Sequence, residues 1–263
     1  MSYETIIFEK KDGIATITLN RPENLNALNL KMGKEFAEVC ESCLKDPDVK
    51  VVVITGAGRA FCSGGDLKAA KEFLETNPQK YFQDLTKFFH SAITDIRRMP
   101  KPVIASINGP AGGAGFSLAL ACDLRIASEK AFFKQAYTSV GLTPDGGWTY
   151  FLPRLIGLSK VFELVFLDKI LDAKEAEKLG IIHKVVLEEK LMETTYSIAK
   201  NLVEGATIAF AESKKLLNET LHFTLETQLE NERRGLVKCA GTEDFREGLI
   251  AFLERKKPKF KGK

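Results

Sequence analysis

The stretch Lys101-Pro102-Val103-Ile104-Ala105-Ser106-Ile107-Asn108-Gly109-Pro110-Ala111-Gly112-Gly113-Ala114-Gly115-Phe116-Ser117-Leu118-Ala119-Leu120-Ala121 decides the fold class. Residues 102–107 are a short, almost continuously apolar run bounded by turn residues. That pattern predicts a strand buried on both faces rather than one lying on a wet sheet. A glycine-rich loop over 108–115 follows, then a short apolar helix over 116–121 and a further strand over 124–127. The same unit stands earlier in the chain. Val51-Val52-Val53-Ile54 is followed by a glycine-bearing loop, Thr55-Gly56-Ala57-Gly58-Arg59-Ala60-Phe61-Cys62-Ser63-Gly64-Gly65-Asp66-Leu67, and another helix. Strand, loop and helix in repetition predict an α/β core with right-handed crossovers.

Working outward, residues 5–9 and 14–19 read as two strands. In the second, Ala15, Ile17 and Leu19 alternate with Thr16 and Thr18, and Asp12-Gly13 supplies a hairpin turn. The next helix places Met32, Phe36, Val39, Cys40 and Cys43 on one stripe. Residues 132–147 are loop-rich and end in Pro144-Asp145-Gly146-Gly147. After Lys174 strand signals fade, apart from 181–186, and amphipathic helices are expected over 206–217 and 225–237. The expected division is a core over residues 1–200 and a C-terminal helical region over 201–263 within the same functional unit.

Composition narrows the class. Of 263 residues, 44% are hydrophobic and 28% charged, which excludes a disordered or fibrous chain. Lys and Arg number 38 against 35 Asp and Glu, a net charge of +3, too weak a bias to imply a polyanionic partner. Six of the last nine residues are nevertheless basic. No apolar run is long enough to span a bilayer, and the first residues have neither a basic stretch nor an apolar core of the secretory kind. Five widely spaced cysteines read as reduced thiols. A cytoplasmic location with no membrane contact is the expectation.

The candidate chemistry lies in the two glycine loops and in three side chains. Glycines at strand ends let a ligand approach main-chain N–H groups, and two such loops opening helices make a pair of donors for an oxyanion. The plainer reading is tight chain connection. Neither loop has the spacing of a phosphate cradle. Asp145, between a proline and two glycines, is either an N-cap for the following helix or a catalytic base. Asp66 admits the same two readings, and His90, among Phe88, Phe89 and Ser91, is either structural or catalytic. Cys40-x-x-Cys43 has no second pair and falls on the apolar stripe, so no metal site is expected. Ser117 lacks the setting of an activated nucleophile.

Taken together, Val51-Val-Val-Ile-Thr-Gly56, Ala60-Phe-Cys-Ser-Gly-Gly-Asp-Leu67, Lys101-Pro-Val-Ile-Ala105, Asn108-Gly-Pro-Ala-Gly-Gly-Ala-Gly115, Leu118-Ala-Leu-Ala-Cys-Asp-Leu-Arg-Ile-Ala127 and Phe245-Arg-Glu-Gly248 resemble the crotonase (enoyl-CoA hydratase/isomerase) superfamily, in order along the whole chain. The resemblance implies a ββα spiral core with a C-terminal helical trimerisation region, assembled as a homotrimer or dimer of trimers. It implies an acyl-CoA thioester substrate, coenzyme A being part of that substrate, with no metal or other cofactor. The shared chemistry it implies is a thioester enolate held by two backbone N–H groups, carried over to Ser63 and Ala114, with Gly113 one register away. Adenine and pantetheine would be met by Asn26, Ala27, Ala60 and Asp66, and by Phe252 and Lys256 of the last helix. Phe116, Ser117 and Tyr137 would be among the substrate contacts. Phe82, Phe88, Phe89, Phe116, Tyr137 and Trp148 are either the lining of an aromatic-sized pocket or core aromatics at helical spacing, and the acyl group itself is not readable.

Departures from the pattern bear on the subclass. The two glutamates of hydratases in this family align with Ser117 and Tyr137, neither of which is a carboxylic acid. Asp145 falls where isomerases carry an acidic residue, and Gly141-Leu-Thr-Pro-Asp-Gly-Gly147 with Leu152-Pro-Arg154 is similar to isomerases of ring 1,2-epoxyphenylacetyl-CoA and of Δ3,Δ2-enoyl-CoA. The resemblance therefore implies an isomerase with Asp145 as the single acid/base. Two alternatives stand beside it: hydratase-like chemistry, and dehalogenation or hydrolysis of an aryl-CoA through Asp145 and His90. A non-enzymatic acyl-CoA or RNA binder is a third, motivated by the basic tail, although nucleic acid is not the expected partner.

Overall fold

The computed structural model describes residues 3–263, and the apolar runs of the sequence become the middle of its main sheet. The chain enters through an antiparallel hairpin, β1 (Ile6–Lys11) and β2 (Ile14–Leu19), turned at Asp12 and Gly13. Helix α1 (Leu30–Lys45) starts at Asn29, whose side chain accepts a hydrogen bond from the Met32 amide. Strand β3 (Val51–Gly56) is followed by α2 (Leu67–Lys71) and α3 (Pro78–Arg98). Then come β4 (Val103–Ile107), the two-residue β5 (Ala111–Gly112), α4 (Ala114–Ala121), β6 (Leu124–Ser128) and β7 (Phe132–Lys134). The remainder is α5 (Trp148–Ile156), α6 (Leu158–Phe166), β8 (Leu171–Asp172), α7 (Ala173–Lys178), β9 (Lys184–Val186) and four helices: α8 (Leu191–Val203), α9 (Thr207–Glu219), α10 (Leu225–Ala240) and α11 (Glu243–Leu253).

The main sheet has the order β1-β2-β3-β4-β6-β9, parallel except for the first pair. A smaller sheet, β5-β7-β8, stands beside it, and single bridges Cys62↔Ala111 and Leu28↔Gly65 extend the pairing into the two glycine loops. Each chain segment leaving the main sheet thus adds a short extended piece alongside the next, which is the spiral that the motifs imply.

Burial on both faces is observed where the sequence predicts it. Val52, Ile54, Val103 and Ala105 join the principal core with Met32, Phe36, Val39, Cys40 and Cys43 of α1. The alternate residues Val51, Val53 and Ile104 join a second core with Leu191 and Ala199 of α8. Both thiols of the Cys-x-x-Cys pair are fully buried, as core packing requires. The loop-rich segment 132–147 contains β7 and a 3-10 turn, Thr138–Val140.

Helix α8 runs through Val203, so a division at residue 200 would cut it, and the turn towards α9 comes at 204–206. Helix α9 is anchored on its own core. Lys214 donates to Asp123 Oδ2 at 2.6 Å and to the carbonyls of Ile96 and Lys101, and the Asn218 side chain donates to the Arg97 carbonyl at 2.8 Å. By contrast α10 and α11 leave Leu225, Leu229, Leu236, Leu249 and Phe252 exposed.

Candidate active site

Between α3 and the two glycine loops lies a cavity of about 270 Å³. Its roof is the apolar face of α3, through Phe82, Leu85 and Phe89, and its floor is Ser63, Gly64, Gly65, Gly113 and Ala114. Tyr137, Leu142, Thr143 and Asp145 close one side. Such a chamber, mostly apolar with a few polar groups converging on it, is the usual form of a small-molecule site.

The floor depends on close approach of two backbones. A Cβ on Gly115 would stand 2.0 Å from the Cys62 carbonyl oxygen, so any other residue would force the loops apart. Gly113 has φ +46° and lets the chain turn from β5 directly into α4. The amide of Ala114, at the first position of α4, then has no helical acceptor, and among the described residues none meets it.

The partner amide differs from the expectation. The Ser63 N–H donates to the Leu25 carbonyl at 3.0 Å and is therefore spent within the protein. Two residues on, the extended chain bridges to Leu28: Leu28 N–H donates to Gly64, and Asp66 N–H to Leu28. Alternation along such a segment turns the Gly65 amide to the opposite side, where the cavity lies, and among the described residues it meets no acceptor. Gly113 likewise drops out as a donor, its N–H being bonded to the Lys134 carbonyl at 3.0 Å.

Asp145 is the one carboxylate among the described residues that lines the cavity. It does not cap α5, whose N-cap is Gly147 with no side-chain bond. Its Oδ1 instead lies 2.7 Å from His90 Nε2, a contact between residues 55 apart in sequence. Its backbone carbonyl accepts the Ser117 hydroxyl at 2.6 Å, with the Tyr137 hydroxyl 3.4 Å away and 3.1 Å from Ser117 Oγ. Burial pushes the Tyr137 phenol well above its usual range, so it stays a neutral donor. The two residues aligned with hydratase glutamates thus hold the segment that carries Asp145.

Several expected contacts are not brought to the cavity. Phe116 and Trp148 are fully buried and pack on each other, and Phe116 packs on Phe133, so both belong to the core. Ser117 lies beneath the wall. Asn26 is fully buried: its side-chain amide donates to the carbonyls of Ala57, Ala60 and Phe61 and its Oδ1 accepts from Arg21. Ala27 and Ala60 are buried beside it. Asp66 is the N-cap of α2, accepting the Lys68 and Ala69 amides, and pairs with Arg21 at 2.8 Å. Burial raises its carboxyl, but those amides and the guanidinium outweigh it and hold the group below the usual range. Phe252 is 80% exposed, and Lys256 lies at the surface against Glu254, neither of them lining the cavity within the chain. Among the described residues no three His, Cys, Asp or Glu side chains converge as a metal site, and no helix is long and apolar enough to cross a membrane.

A strand–glycine loop–helix spiral whose cavity is lined by Gly65, Ala114 and the carboxylate of Asp145 has the form of a small-molecule site, and comparison gives the family. Residues 9–263 match the family described as Enoyl-CoA hydratase/isomerase. The chain is 36% identical over 261 residues to the 1,2-epoxyphenylacetyl-CoA isomerase of Escherichia coli, covering 99% of each. It is also 36% identical over 258 residues to the short-chain-enoyl-CoA hydratase of Clostridium acetobutylicum, covering 98% of this chain and 97% of that one. The crystal structure of an enoyl-CoA hydratase/isomerase from Cupriavidus metallidurans superposes with a TM-score of 0.91 at 34% identity, covering 100% of this chain and 98% of that one. The protein belongs to the enoyl-CoA hydratase/isomerase family.

Proposed function

We propose that the protein is an enoyl-CoA isomerase that moves a double bond through a thioester enolate, with Asp145 as the single acid/base. The observation that carries this reading is the cavity wall itself: among the described residues its one carboxylate is Asp145, and it offers the amides of Gly65 and Ala114, which meet no acceptor. In the proposed pose the thioester oxygen lies between those amides, where negative charge develops as the α proton leaves. Each such donor is worth ~3–4 kcal/mol in the transition state, and the positive end of α4 adds to the Ala114 side. Asp145 takes the α proton and returns one to the γ carbon, so a second acid is not needed. Hydration across the double bond is disfavoured because Ser117 and Tyr137 supply no carboxylate and are occupied with the Asp145 carbonyl.

Coenzyme A enters this scheme as part of the substrate. The exposed apolar side chains of α10 and α11 support burial against further copies of the chain, in a trimer or dimer of trimers, and there Phe252 and Lys256 would meet a coenzyme moiety across the contact. The contact of His90 with Asp145 favours a second reading, attack on an aryl-CoA with His90 assisting water. Release of halide from a haloaryl-CoA would distinguish it.

The test is Asp145→Asn. Turnover of 3-hexenoyl-CoA to the 2-enoyl isomer is expected to fall by at least ~10², with thioester affinity little changed. Turnover at the unsubstituted rate would reduce Asp145 to a structural loop residue and remove the proposal.

A further inference from the structure

We propose that His90 is a proton relay and positioning residue for Asp145, joining the base of the cavity to bulk water. This rests on the isomerase reading above. His90 Nε2 is 2.7 Å from Asp145 Oδ1, and the two side chains are 53% and 31% exposed. The carboxylate lines the cavity and the imidazole does not, so His90 stands on the solvent side of the base. Among the described residues no hydrogen bond reaches Asp145 Oδ2, which leaves that oxygen for substrate while Oδ1 is engaged.

Both partners are held from separate elements. His90 follows Phe89 on α3, whose buried face is fixed in the core. The Asp145 backbone is fixed by Ser117. Asp145 is the one charged group in contact with His90 among the described residues. Tyr137, the other titratable side chain of the cavity wall, points its hydroxyl at Ser117 and the Asp145 carbonyl and stays protonated.

The proton balance follows. Asp145 removes the α proton, the C–H electron pair passes into the enolate, and the carboxylate becomes a carboxylic acid. That acid either returns the same proton to the γ carbon or turns about its Cβ–Cγ bond to present the O–H to His90 Nε2, which accepts it in the Nδ1–H tautomer, giving imidazolium and carboxylate. The imidazolium exchanges with water, and the reverse transfer delivers a solvent-derived proton to the γ carbon. No net proton is consumed on either route. His90 therefore sets how much of the migrating hydrogen comes from water.

The experiment compares the unsubstituted protein with His90→Gln, His90→Ala and Asp145→Asn on 3-hexenoyl-CoA in D2O. Initial rates and deuterium per double bond moved are read by mass spectrometry. Glutamine retains an N–H donor for Oδ1 but has no basic nitrogen to accept a proton. His90→Gln should isomerise within about threefold of the unsubstituted rate while deuterium per turnover falls at least about fivefold. His90→Ala should lose the label in the same way and lower kcat further, with KM little changed, because Oδ1 is no longer positioned. Equal deuterium per turnover in the unsubstituted protein and His90→Gln, with isomerisation intact, would overturn the relay alone. If the unsubstituted protein shows no Asp145-dependent isomerisation, the function and the relay fall together.

Discussion

Ser117→Ala tests how Asp145, the proposed base, is held. The Ser117 hydroxyl is fully buried, donates to the Asp145 carbonyl at 2.6 Å and lies 3.1 Å from the Tyr137 hydroxyl. Alanine removes the oxygen without adding volume. The carbonyl is left with the Tyr137 hydroxyl at 3.4 Å and the Trp148 amide at 3.3 Å, both long, and the phenol loses its best partner. Losing one well-made buried hydrogen bond and leaving a phenol poorly paired costs ~1–3 kcal/mol. For a chain of this size, that lowers Tm by roughly 2–8 °C. The effect on catalysis is separate. A carboxylate displaced by an ångström loses up to ~10² in rate, so kcat should fall by about 10- to 100-fold with KM changed by less than about threefold. The assay is initial-rate isomerisation of 3-hexenoyl-CoA alongside thermal unfolding. Reduced Tm with unchanged kcat would show that the hydroxyl supports the fold but not the base, and would refute the reasoning.

Two further outcomes are expected. Ala114→Pro deletes one cavity-facing amide at the first position of α4, where proline is compatible with a helix; kcat should fall by ~10²–10³ with unfolding stability nearly kept, measured by single-turnover kinetics and denaturant titration. Asp66→Asn keeps an acceptor for the α2 amides but loses the charge paired with Arg21, at a cost of ~1–3 kcal/mol at pH 7. Because the Asp66 carboxyl titrates below its usual range, its contribution is fully present above the unfolded-state value of ~3.9 and is lost as pH falls through the lower native value. The stability gap between the two proteins should therefore close in acid, as urea unfolding at pH 7 and at pH 3 would show.

The main sheet was legible because a strand buried on both faces has an unmistakable residue pattern, and Val51 to Ile54 and Val103 to Ile107 carry it. Local pattern did not reveal what each loop residue faces. Asp145 looks like a helix cap in its own neighbourhood, and only the fold brings His90, on α3, within 2.7 Å of it. The amides of Ser63 and Gly65 differ in that the first is bonded to Leu25 and the second meets no acceptor among the described residues, which no local pattern announces. The alternation of an extended segment is the signal that could have selected Gly65 once the bridge to Leu28 was known. Phe116 and Trp148 are apolar residues near the motif, and proximity in sequence does not separate a core aromatic from a wall aromatic. Asn26 shows the same limit. It sits beside the motif, yet its amide is consumed in tying three loop carbonyls together.

The most direct test of the central claim is mass spectrometry of the products formed from 3-hexenoyl-CoA and crotonyl-CoA in water enriched in oxygen-18. The account predicts a 2-enoyl product of unchanged elemental composition from the first substrate, dependent on Asp145, and no water gained by the second. Rapid uptake of labelled oxygen by crotonyl-CoA, with the 3-enoyl thioester left untouched, would contradict it.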